Sequence, residues 1–105
     1  MATKERHVGR ATITQPSGTE VDTSIHIDEL SNGRHRVRVR NFGEGEIKLD
    51  DSGRFSDEPF AYSGQLNRAR GVVERGPEGS IKGHFNVERD GEEVARGSFK
   101  ARKRA

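Results

Sequence analysis

Three residues spread along the chain have side chains suited to acid–base chemistry, and the strand pattern predicts that they meet. Glu29 faces His35 across a hairpin, His7 lies about one pair along on the first strand, and Arg75 ends a later strand at the same level. An imidazole titrates near neutrality, and a carboxylate beside it can orient it or exchange a proton with it. His7, Glu29 and His35 are therefore the candidate catalytic residues. Barrel rims are also wet, so polar side chains gather there without doing chemistry.

A second pattern is cationic. Arg34, Arg36, Arg38 and Arg40 recur at every other position, which places them about 6.7 Å apart on one face of a strand. Arg40 is expected opposite Lys48, with no counter-charge. Arg36, Arg38, Arg40 and Lys48 are thus the candidate nucleic-acid contacts. Arg70, Lys82, His84, Arg96 and Lys100 form a second outward group, and Arg102-Lys103-Arg104 adds more cations at the end. Asp28 and Asp50 flank the stripe, and outward faces carry almost no aromatic residue besides Phe42. A charged face is also the ordinary solvated side of a strand, and Lys or Arg discourages edge pairing.

A third pattern is missing side chains. Gly9, Gly64, Gly71, Gly83 and Gly97 fall on the expected inner face, with Gly64 opposite Gly71 and Gly83 opposite Gly97. Such glycines let short strands bend, or they leave room for a ligand. In the second case Gly64, Gly71, Arg75, Gly83 and Gly97 would line the site. The bending role is preferred because the apolar supply is small and a cavity would reduce the core further. No metal site is expected, since no two histidines share ligand spacing on one strand. Asp50-Asp51-Ser52-Gly53 reads as a β-turn rather than a calcium loop. No cofactor is implied.

These residues are positioned by strands alone. The clearest element is Val21 to Phe42, a hairpin in which Val21, Thr23, Ile25 and Ile27 alternate with polar residues and His35, Val37 and Val39 alternate with arginines. A three-residue turn with Gly33 last sets Ile27 opposite Val37 and Ile25 opposite Val39, and keeps both faces coherent. The same rule is expected at Pro16-Ser17-Gly18, Gly43-Glu44-Gly45, Asp51-Ser52-Gly53, Pro77-Glu78-Gly79 and Arg89-Asp90-Gly91. It sets Ile13 opposite Val21, Val39 opposite Leu49, Leu49 opposite Phe55 and Val73 opposite Gly83. At the last turn it sets Phe85 opposite Ala95 and Ile81 opposite Phe99. Pro59 and a change of parity predict a bulge at Asp57 to Pro59 in one long strand, Arg54 to Leu66, followed by a turn at Asn67-Arg68.

The result is an all-β fold: an antiparallel up-and-down meander of about eight strands closed into a small barrel, with an open β-sandwich as the alternative. Residues 1–5 are expected to be a flexible end, 6–101 the barrel domain and 102–105 a basic tail. The architecture is similar to the small meander barrels as a class, whose members include carriers, inhibitors and enzymes, so it fixes no function.

Composition narrows the classes. The chain has 105 residues, 29% hydrophobic and 34% charged, with net charge +2 and no cysteine. Disulfides and cysteine metal sites are excluded, and the near balance of charge names no partner by itself. The longest apolar run is three residues, Phe60-Ala61-Tyr62, so neither a signal peptide nor a membrane span is expected, and the cytoplasm is the default location. A monomer or weak homodimer is expected, the latter through outward Val72 and Val94. The function read from these features is a non-catalytic binding module that offers loops or a barrel mouth to a protein or small molecule. The alternatives are a barrel enzyme of cyclase or isomerase type using the His/Glu mouth, and an accessory protein binding nucleic acid or another polyanion through outward arginines.

Overall fold

Alternation of β-branched and polar residues gives eight strands: β1 (Thr3–Thr14), β2 (Glu20–Leu30), β3 (His35–Val39), β4 (Gly43–Ile47), β5 (Arg54–Tyr62), β6 (Gln65–Arg75), β7 (Ile81–Arg89) and β8 (Glu92–Lys103). The computed structural model describes residues 3–62 and 64–104. Each strand pairs antiparallel with the next, and β8 returns to β1, closing the barrel in meander order. One 3-10 turn, Pro77–Gly79, joins β6 to β7. Among the described residues no helix is long and apolar enough to cross a membrane.

The central hairpin has the expected register, with Ile27 opposite Val37, Ile25 opposite Val39 and Glu29 opposite His35. Gly33 closes it at φ +86°, the left-handed conformation that favours glycine, and its N–H donates to Leu30 O at 3.0 Å. Ile13 meets Val21 and Val73 meets Gly83, also as expected. The turn at Asp51–Gly53 forms too. The Asp50 carboxylate accepts from the Ser52 N–H, the Ser52 hydroxyl and the Arg54 N–H, so its acid group braces a turn. The bulge in β5 is present between Phe55 and Glu58, with Asp57 at φ +55°.

Three turns differ from expectation. Between β3 and β4 the reversal lies at Arg40–Phe42, with Asn41 at φ +59°, and Val39 pairs with Gly43 rather than Leu49. Gly43 and Gly45 are inside β4 instead, because β5 passes close against them. A Cβ on Gly43 would stand 2.2 Å from Ala61 O, and one on Gly45 2.6 Å from Pro59 O. Between β5 and β6, Tyr62 pairs with Gln65, so the chain reverses before Leu66 and not at Asn67-Arg68. Asn67 is buried, and its amide donates to the carbonyls of Gln65, Phe60 and Tyr62 while its oxygen accepts from Arg89. Between β7 and β8 only Asp90 and Gly91 form the turn, both at positive φ, which is the two-residue hairpin chemistry. A bulge after Val87 follows, so Phe85 meets Gly97, Gly83 meets Phe99 and Ile81 meets Ala101. That register is displaced by two residues from expectation, an even shift that keeps the residues beyond the bulge on their faces, while Val94, expected outward, falls at the bulge.

The ends also contribute. β1 takes in Thr3 to Glu5, and β8 reaches Lys103, so parts of the expected flexible end and basic tail belong to the barrel. Residues 1 and 2 of that end, 105 of the tail and 63 of the long strand lie outside the described residues. Val72 neighbours Arg54 and His84, and Val94 packs against the core, so the two valines form no common outer patch.

Candidate functional site

The inner wall explains the glycines. Gly71 stands opposite both Phe55 and Phe85, Gly97 opposite Phe85, and Gly83 opposite Phe99. A Cβ on Gly83 would meet Val72 O at 2.0 Å and the Phe99 ring at 2.9 Å; one on Gly97 would meet the Phe85 ring at 2.6 Å. Each ring occupies the volume its glycine vacates, the arrangement known to rescue glycines in sheets. The remaining interior void is about 20 Å³, lined by apolar residues such as Ile25, Ile47, Phe60 and Phe85 together with His35. Room for one water-sized sphere does not hold a drug-sized molecule. The expected ligand set is therefore dispersed: Gly71, Gly83 and Gly97 lie under rings, Arg75 is exposed at the end of β6, and Gly64 sits exposed in a turn at φ +71°.

The polar mouth does assemble. His7 on β1 pairs with Ile27 and Lys103, Glu29 pairs with Glu5 and His35, and Arg75 ends β6 at the same end of the barrel. Burial holds the His35 pKa below its ordinary 6.5; Glu29 opposes this, Arg75 and His7 add to it, and Glu5 opposes. The structure thus places the expected residues at one end of the barrel, with Glu5 and Lys103 beside them. His7 is only 4% exposed, and neither of its ring nitrogens has a hydrogen-bond partner; His35 Nδ1 is likewise unpartnered. Glu5 Oε1 lies 4.0 Å from His7 Nε2 and 3.9 Å from Lys103 Nζ, beyond hydrogen-bonding distance. No group of three potential ligands capable of holding a metal ion occurs among the described residues.

The outer walls differ from one another. On the β2–β3–β4 wall the arginine stripe is consumed: Arg38 reaches Asp28 at 3.1 Å, Arg36 reaches Glu46 at 3.6 Å and Arg34 reaches Glu58 at 3.7 Å. Arg40 is in a turn and does not oppose Lys48. Of the candidate nucleic-acid contacts, then, Arg36 and Arg38 are neutralised, while Arg40 and Lys48 are separated. Arg70 and Arg96 of the second group are also paired, with Glu88 at 2.8 Å and Glu93 at 2.7 Å.

Lys82 and Lys100 are not paired. They stand directly opposite each other on β7 and β8, and Lys100 is opposite Arg10 on β1. Arg102 follows two residues along β8, and Arg6 and Arg10 point outward from β1. All five are exposed, and none makes an ion pair among the described residues. Glu74 is the register partner of Lys82 on β6, and Asp28, opposite Arg6, is buried and taken by Arg38. The signal for Arg6, Arg10 and Arg102 was present as alternation. Their union with Lys82 was not, because no turn sets the register of β8 against β1.

Fold and site together define an eight-stranded antiparallel meander barrel with a filled interior, a polar mouth and one cationic wall whose five exposed cations make no ion pair among the described residues. No protein-family model, curated protein sequence or solved structure matches the chain significantly.

Proposed function

We propose that this barrel is a non-catalytic binding module that takes a polyanionic partner on its outer wall. The observation that carries the reading is the row Lys82–Lys100–Arg10, three cations opposite one another on consecutive strands. Like charges directly opposite destabilise a sheet, so the row works against the fold it sits on. A partner bearing many negative charges removes that repulsion on binding. The filled interior supports an exterior role over carriage of a small molecule in the lumen. The test is retention on a sulfated polysaccharide matrix at low salt. The wild-type barrel is expected to bind and to elute as salt rises, while the Lys82→Gln/Lys100→Gln double variant elutes earlier. Failure of the wild type to bind at low salt would remove the reading.

A second reading is favoured by the unpartnered nitrogens of His7 and His35: a small polar ligand, or acid–base chemistry, at the mouth. Glu29→Gln separates the two. It abolishes turnover or ligand binding at the mouth and leaves polyanion binding unchanged.

A further inference from the structure

We infer that the partner of the β7–β8–β1 wall is the phosphate backbone of duplex nucleic acid, bound without regard to sequence. The inference rests on the proposed function and names its partner. Four features of the wall point to this chemistry.

The first is layout. Lys100 and Arg102 lie about 6.7 Å apart along β8, and Arg6 to Arg10 spans about 13 Å along β1, with the strands about 4.8 Å apart. Over that length a duplex presents about four phosphates on each strand. Five exposed cations on three adjacent strands can therefore meet several phosphates at once. The second feature is rigidity. The cations stand on strands of a closed barrel, so their bases are fixed before the partner arrives.

The third is the absence of stacking platforms on this wall. The outward residues of the three strands here are Arg6, Val8, Arg10, Lys82, His84, Ser98, Lys100 and Arg102, without phenylalanine or tyrosine. Phe55, Phe60, Phe85 and Phe99 are core residues, and Phe42 and Tyr62 pack against the core. Single strands are held largely by stacking bases on aromatic rings, whereas a duplex backbone needs charge alone. The fourth is the absence of an apolar wedge. Among the described residues the exposed large hydrophobic ones are Val21 and Leu66, both towards the opposite end of the barrel from Arg102 and Arg6. An interfacial membrane binder buries several apolar side chains among the headgroups, and this wall offers only the half-buried Val8.

The test is fluorescence anisotropy with a labelled duplex DNA of about two helical turns, its single strand, polyglutamate and vesicles of anionic phospholipid. For five phosphate contacts the duplex affinity should fall with a log–log salt slope of about −4.5, or roughly 500-fold between 50 and 200 mM salt. The slope should be the same for unrelated sequences and shallower for the single strand. Lys82→Gln/Lys100→Gln should flatten it by about two, and Arg36→Gln, whose guanidinium is occupied by Glu46, should leave it unchanged. Circular dichroism confirms folding of each variant. Binding to polyglutamate or vesicles but not to duplex would overturn the inference and leave the proposed function standing. Tighter binding of the single strand would also overturn it, as would a slope that follows Arg36 rather than Lys82 and Lys100. Binding to none of the four probes would overturn both.

Discussion

Two walls of this barrel are built from the same materials and end with opposite electrostatics. On the β2–β3–β4 wall, arginines alternate along β3 and each of the outward ones finds a carboxylate: Arg36 with Glu46, Arg38 with Asp28 and, just before the strand, Arg34 with Glu58. On the β7–β8–β1 wall, Lys82, Lys100 and Arg10 find one another. The difference does not lie in the strands that carry the cations. It lies in whether the carboxylates nearby form ion pairs: those facing Arg34, Arg36 and Arg38 do, whereas Glu74, opposite Lys82 on β6, forms none among the described residues. A cationic stripe is a binding surface only where the adjoining strands leave it unpaired. Surface ion pairs contribute little to stability, but they do decide which charges remain available to a partner.

The largest effect tests the register that creates the unpaired wall. Gly83→Val places a side chain where even a Cβ would stand 2.0 Å from Val72 O and 2.9 Å from the Phe99 ring. Overpacking of this kind costs about 3 kcal/mol or more, and here it acts on the β7–β8 pairing that sets Lys82 opposite Lys100. Urea unfolding should show the loss, and a stable variant of native-like midpoint would mean that the glycine is not needed under the ring. Asp28→Ala comes next and breaks the compensated wall. Asp28 is 3% exposed and holds Arg38, which is itself half exposed, so the loss is expected at about 1–2 kcal/mol. The freed Arg38 should also add salt-dependent affinity for polyanions, making the paired wall resemble the unpaired one. If polyanion binding does not change, the contrast between the walls is not one of compensation.

How much of this was legible follows from what sets register. Where a short turn closes a hairpin, as at Ser31-Asn32-Gly33, alternation and turn length together gave the pairing residue by residue, and with it Glu29 opposite His35. Where two glycines could serve either a turn or a crowded strand, as at Gly43 and Gly45, the deciding contact was with β5, more than ten residues away in sequence. Asn67 was read as a turn residue from its type, yet it is a buried hub for three carbonyls, which alternation alone cannot reveal. Most faces survived because the misplaced registers moved by even numbers; Gly64, expected inward, lies exposed in a turn, and Val94, expected outward, packs against the core. The mouth was legible for that reason. The cationic wall was legible only in part: alternation grouped Lys82 with Lys100, but Arg10 joins them through closure of the barrel, and closure leaves no local mark.

Acid should separate the mouth from both walls. The fold displaces the pKa of His35, so pH dependence of stability between pH 5 and 8 is expected at the mouth. The folded state holds the His35 pKa below 6.5 through burial, reinforced by Arg75 and His7 and opposed by Glu29 and Glu5. Below 6.5 the unfolded chain therefore binds the proton more readily than the barrel does. The contribution of the neutral ring is complete above that value, declines as pH falls from it and is gone below the folded pKa. Urea midpoints at pH 7.5 and 5 should show the decline, and His35→Phe should reduce it. An undiminished decline in that variant would assign the acid sensitivity to another group.

The smallest effect is the most informative because its sign is unusual. Lys100 is exposed and stands between Lys82 and Arg10. Lys100→Glu replaces two repulsive cross-strand pairs by two attractive ones, so stability should rise by about 0.5 kcal/mol while polyanion affinity falls. Most surface substitutions shift stability by less than that in either direction, and those that weaken binding have no reason to strengthen the fold. The same exchange on the other wall, Arg36→Glu, loses the contact with Glu46 and sets two carboxylates opposite each other, so it should destabilise. Opposite signs from identical chemistry are what a wall held out of electrostatic balance for a partner would give. Equal signs would mean that Lys82, Lys100 and Arg10 are far enough apart at their tips for solvent to screen them, and the repulsion argument for a partner would fall with that result.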